Sequence, residues 1–154
     1  MSVADPRRQA PRGGAAEATS SPFPLSMFGK VRLLLRIWSS TALVLVLLRR
    51  HGLPKVVVVL GKRTATNPYP PRVLSRAVSR GLRIGRWQPR CLIRSLVLFR
   101  LLREQGDSAD LIIGLPNQPH SPDAHAWVEL NGTDLGPMPG RGRHVEFARY
   151  PYRS

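Results

Sequence analysis

Two side chains in this sequence have the types and spacing for acyl-transfer chemistry. Cys91, the only cysteine in 154 residues, opens the apolar run CLIRSLVLFRLLREQG, and His125 opens HAWVEL further down the chain. A thiol becomes a nucleophile when it ionises. The first turn of a helix favours the thiolate, because unpaired N–H groups and the helix dipole stabilise negative charge there. Cys91 follows Pro89-Arg90 directly, and Arg90 and Arg94 add positive potential. A histidine at the start of a strand could take the thiol proton and return it. The competing reading is that a lone cysteine in an apolar helix is a small buried hydrophobe. Spacing alone leaves both open.

The elements that must position this pair follow from periodicity. From Cys91 onward, Leu92, Leu96 and Phe99 form one stripe and Cys91, Ser95, Leu98 and Leu102 another, so the helix is apolar on most of its circumference. Gly106 lies just past its end. ADLIIG predicts a short buried strand over Asp110 to Gly114, and LPNQPHSPDA a surface loop. HAWVEL alternates as a strand should. Asn131-Gly132 is a strong hairpin signal, and TDLG returns as the partner strand. The tail PMPGRGRHVEFARYPYRS is rich in Pro and Gly and is expected to wrap the domain without regular structure, giving an irregular segment over 141–154.

Upstream, residues 1–22 have the composition of a disordered tail. The run from Leu33 to Leu48 predicts a helix closed by Arg49, Arg50, His51 and Gly52. Its uncharged part, Ile37 to Leu48, is short for a membrane span, which needs about 20 apolar residues. A buried core helix is the expectation. A helix lying at a cytoplasmic membrane face, through its basic flanks, is the alternative. KVVVVLGKR, after Pro54, suits a strand by its valines and a short helix by its flanks; helical neighbours favour the helix. TATNPYPP is a loop. Leu74, Ala77, Val78 and Leu82 predict an amphipathic helix over about 72–85.

A hydrophobic content of 42% supports a packed core, and a single cysteine excludes an internal disulfide framework. The free thiol fits a reducing, cytoplasmic setting. The net charge of +15 comes almost wholly from arginine, the lysines being Lys30, Lys55 and Lys62. Such a field attracts anions without choosing among them. Few aromatics interleave with the arginines, so specific nucleic-acid binding is not expected. The histidines lack ligand spacing and there is no phosphate-cradling loop, so neither metal nor cofactor is expected.

The order of a helix-start cysteine followed by a strand histidine is that of papain-like and transglutaminase-like folds. More specifically, CLIRSLVLFRLLREQGDSADLIIG followed by HAWVELNG resembles the transglutaminase-like leader peptidases of lasso-peptide biosynthesis. The nearest form is the short one, in which the peptidase is separate from the leader-binding protein. The resemblance covers roughly residues 30–137. It implies an α+β fold, several helices packed on a small antiparallel sheet, with the peptidase domain over 23–140. It also implies a cysteine peptidase: Cys91 attacks the carbonyl at the leader–core junction of a precursor peptide, and His125 serves as base and then acid. The implied partners are a separate leader-binding protein and an ATP-dependent lasso cyclase. The backbone N–H of Cys91 would donate to the oxyanion, with Gln88 a second donor, and Trp87 and Trp127 would either wall the cleft or pack in the core.

One departure is visible. The family carries an orienting aspartate on the strand after HAWVE, and that position falls near Pro137, which cannot do the job. Asp134 is the nearest acid. A two-residue hairpin loop, however, sets it opposite Glu129, four residues from His125 and roughly 13 Å along the strand. Asp123 and Glu146 are further candidates. A Cys–His dyad is the remaining catalytic form. The rival from another class is a non-catalytic, transglutaminase-like scaffold that holds a peptide within the synthetase complex.

Overall fold

A computed structural model describes residues 26–61, 68–83, 90–116, 124–137 and 144–151. Four helices precede four strands: α1 (Met27–Arg50), α2 (Leu53–Leu60), α3 (Pro71–Gly81), α4 (Cys91–Glu104), then β1 (Ala109–Pro116), β2 (His125–Leu130), β3 (Thr133–Gly136) and β4 (His144–Tyr150). The expected α+β architecture is present. The sheet has the order β3-β2-β1-β4, antiparallel throughout.

Each helix starts where local chemistry allows. Ser26 caps α1, its hydroxyl accepting from the Gly29 N–H, which satisfies one of the free donors of the first turn. Prolines stand in the first turns of α2 and α3, where their missing N–H costs nothing. The four valines of α2 are helical despite their strand preference. Val56, Val57 and Leu60 gain burial in the common core, and tertiary packing of that kind overrides propensity. α4 is the central helix: Leu96, Val97, Leu98, Phe99, Leu101 and Leu102 are all buried. It packs against α1, α2, α3, β1 and β2.

The sheet turns one face to the helices through Ala109, Leu111, Val128 and Leu135. The register places Asp110, Ile112 and Gly114 opposite Glu129, Trp127 and His125, so these six share the other face. Asn131 and Gly132 both have positive φ, 50° and 75°, as a tight turn of this hand requires, and they set Glu129 against Asp134.

Two expectations change. The tail is not irregular throughout: residues 144–150 form β4 and pair with β1. The strand closes the free edge of β1, and Arg149 fastens it. Its guanidinium bonds Glu146 on its own strand, Asp110 on β1 and buried Glu129 on β2. α1, for its part, is only partly a core helix. It runs longer than expected and buries one face, leaving large apolar side chains in solvent on the other. The expected disordered segment 1–22 lies outside the described residues.

Candidate functional site

Cys91 is the first residue of α4 and is partly exposed. Its Sγ lies 3.9 Å from the carbonyl oxygen of Ala124. One helical turn later, the buried Ser95 hydroxyl donates to the carbonyl of Ala126 at 2.7 Å. The two contacts bracket His125. They arise because β3 pairs only with Val128 to Leu130, leaving the first residues of β2 with a strand on one side alone. Backbone carbonyls left free at such an edge need partners, and two consecutive turns of α4 supply them.

Arg94 shares this end of the helix. Burial, and then the neighbouring Arg83 guanidinium, pull it below the usual arginine value, while Cys91 acts in the opposite sense. Its Nε is buried without a hydrogen-bond partner. The thiol therefore sits in positive surroundings, at a helix N-terminus whose side-chain cap is missing.

His125 is buried at the start of β2, and its Nε2 lies 2.7 Å from the carbonyl oxygen of Pro137. A carbonyl can only accept, so Nε2 carries the proton, and in the neutral ring Nδ1 holds the lone pair. Pro137, expected to be unable to serve, thus holds the ring through its main-chain carbonyl. The ring stacks on Trp127 with centroids 6.3 Å apart and meets His144 of β4 at 5.2 Å. Gly114, across the strand, makes room for this. A Cβ there would stand 2.7 Å from the Trp127 ring and 2.8 Å from the His144 Cβ. His144 was not singled out from the sequence, although its place at the head of the alternating segment HVEFARY is the signal that could have found it.

The other candidates are placed as follows. The structure brings the Cys91 thiol against the residue preceding His125, and no hydrogen bond joins the two side chains. Asp134 lies on β3. It pairs with Glu129 in the ladder, and its Oδ1 accepts from the Gly136 N–H at 2.7 Å, one residue before Pro137. Glu146 is engaged by Arg149, whose own pKa is raised further by that bond first and by Asp110 and Glu129 after it. Trp127 is buried and donates to Glu129, which makes it a support for the ring stack and not a cleft wall. Trp87, Gln88 and Asp123 lie outside the described residues. Among the described residues, no group of three or more His, Cys, Asp or Glu is arranged to hold a metal ion.

The arrangement therefore combines a thiol at a helix start, an anchored imidazole on the adjoining strand, and free helix N–H groups beside the thiol. No curated protein and no solved structure shows significant similarity to the chain. The model of the transglutaminase-like superfamily matches residues 40–147, which takes in α4 and all but the last residues of the sheet. The chain belongs to the transglutaminase-like superfamily.

Proposed function

We propose that this chain is a cysteine peptidase that removes the leader from a lasso-peptide precursor, with Cys91 as nucleophile and His125 as general base. The observation that carries the reading is the carbonyl anchor on His125 Nε2. It leaves Nδ1 as the basic nitrogen, on the residue next to the one that the Cys91 thiol touches.

In this reading, Nδ1 takes the thiol proton and the thiolate sulfur attacks the carbonyl carbon at the leader–core junction. The backbone N–H of Cys91 is in the first turn of α4, where amides lack helical partners, and donates to the oxyanion. The C–N bond breaks as the imidazolium returns its proton to the leaving amine. A thioester on Cys91 remains, and water deprotonated by His125 hydrolyses it, restoring the thiol. The resemblance of CLIRSLVLFRLLREQG and HAWVELNG to the split leader peptidases supports the substrate class. It also supports recruitment of the precursor by a separate leader-binding protein and hand-over to an ATP-dependent cyclase.

The test is incubation of a precursor peptide and the leader-binding protein with the wild-type chain, Cys91→Ala and His125→Ala. Mass spectrometry should show leader release by wild type alone. Equal release by wild type and Cys91→Ala would overturn the reading. The thiol's present contact, with a backbone carbonyl and not with the imidazole, favours one second reading, a non-catalytic scaffold. A wild-type chain that holds the precursor in a stable complex yet never cleaves it would establish that alternative.

A further inference from the structure

α1 buries one face and leaves a second apolar face in solvent. The face packed on the domain is Leu33, Ile37, Ser40, Thr41 and Val44, and Thr41 satisfies its hydroxyl on the Ile37 carbonyl. The opposite face exposes Met27, Phe28, Val31, Leu34, Leu35 and Trp38, with Leu35 66% and Trp38 49% accessible. Their spacing of three and four residues aligns them as one stripe, about 17 Å long at 1.5 Å per residue. Isolated exposed leucines need no explanation, whereas a contiguous apolar stripe marks a surface that is covered in use. The stripe ends before residue 40, where the superfamily match begins.

Charge identifies what covers it. Between Glu17 and Glu104 the sequence has no acidic residue. Along α1 and α2, Lys30, Arg32, Arg49, Arg50 and Lys55 are exposed. α2 adds exposed Val58 and Val59, which with His51, Pro54 and Lys55 line an open groove of about 430 Å³. An apolar stripe with an aromatic residue and a wholly cationic border is the pattern of a helix lying at an anionic interface.

We propose that α1 docks this chain on an anionic lipid bilayer, lying in the plane of the surface. The Met27–Trp38 stripe enters the boundary between headgroups and acyl chains, while Lys30, Arg32, Arg49 and Arg50 meet lipid phosphates. By length and composition α1 could also cross a membrane. Its other face argues against that: Leu33, Ile37 and Val44 belong to the domain core, and Arg36 is held by Glu104 of α4 at 2.9 Å. Spanning would require tearing that core open. The proposal stands apart from the peptidase reading and does not depend on it.

The test uses the full-length chain and extruded vesicles of equimolar phosphatidylglycerol and phosphatidylcholine, with phosphatidylcholine alone as the control. Cosedimentation should occur with the anionic vesicles. The double variant Leu35→Glu/Trp38→Glu should lose it by at least about tenfold, since two interfacial apolar side chains are removed. Circular dichroism checks that the variant is folded, as expected for exposed positions. A blue shift of tryptophan emission on binding should vanish in Trp38→Phe. No cosedimentation, equal binding by the double variant, or equal binding to both vesicle types would overturn the proposal. So would resistance of the bound chain to alkaline carbonate extraction, the sign of a spanning helix. A vesicle-independent dimer abolished by the double variant would also overturn it, by assigning the stripe to a second copy.

Discussion

α1 and α4 are the two long apolar helices of this protein, and nearly the same composition meets opposite fates in them. α4 is surrounded by helices on one side and by β1 and β2 on the other, and from Ser95 to Glu104 every residue except Arg100 is buried. Apart from Arg100, only its first turn, with Cys91, reaches the surface. α1 is packed on a single side and shows solvent its leucines and its tryptophan. Hydrophobicity therefore does not assign a helix to the core. What assigns it is the number of partners offered by the surrounding elements. A helix with partners all round can present a reactive group only at an end, whereas one with partners on a single side offers its length as a binding surface.

Substitutions in the two helices test this difference. The largest effect is expected at the exposed end of α4. Cys91→Ala should lower precursor cleavage by about four orders of magnitude or more, with the midpoint of urea denaturation nearly unchanged. A large loss of stability would mean that Cys91 is a packing residue. Next comes the middle of α4, where Phe99→Ala should cost about 3–5 kcal/mol in urea unfolding, because its ring is fully buried. A third effect lies between the helices. Glu104 is gripped by Arg36 from α1 and by Arg100 from its own helix. Glu104→Gln should cost about 1–2 kcal/mol, and a double-mutant cycle with Arg36→Gln should show that the two positions are coupled. The smallest effect is expected on the outer face of α1, where Leu35→Ala should change stability by less than about 0.5 kcal/mol. If Leu35→Ala cost as much as Phe99→Ala, the distinction between the two helices would fail.

Much of the fold was legible because its signals are local. The period of CLIRSLVLFRLLREQG and the alternation of HAWVEL gave the central helix and the central strand. Asn131-Gly132 determined the hairpin register down to the pairing of Glu129 with Asp134. β4 was hidden by its Pro- and Gly-rich approach, which masked the alternation of HVEFARY, and because nothing in that segment names the edge it closes. The ties from Arg149 to Asp110 and Glu129 that hold it exist only once three strands are side by side. The outward stripe of α1 was hidden for another reason: a helix that is apolar all round does not say which face will find a partner.

The site divides in the same way. Cys91 and His125 stand out by residue type. The neighbours of His125 do not, since Gly114 matters for the side chain that it lacks, and His144 arrives from the overlooked strand. Pro137 is the clearest case. A search for side chains that could hold an imidazole passes over it, because its contribution is a carbonyl common to all residues.

That carbonyl has a consequence for how the site tolerates change. A carboxylate in the same place would lose its hold on His125 when protonated, and would be lost outright by one substitution. A peptide oxygen does not titrate, and it belongs to the main chain. Sensitivity moves upstream instead, to Gly136, whose φ of 93° suits glycine best, and to the Asp134 oxygen on its N–H. The instruction for aiming the imidazole is therefore written in the course of the main chain, where a comparison of aligned side chains would not find it.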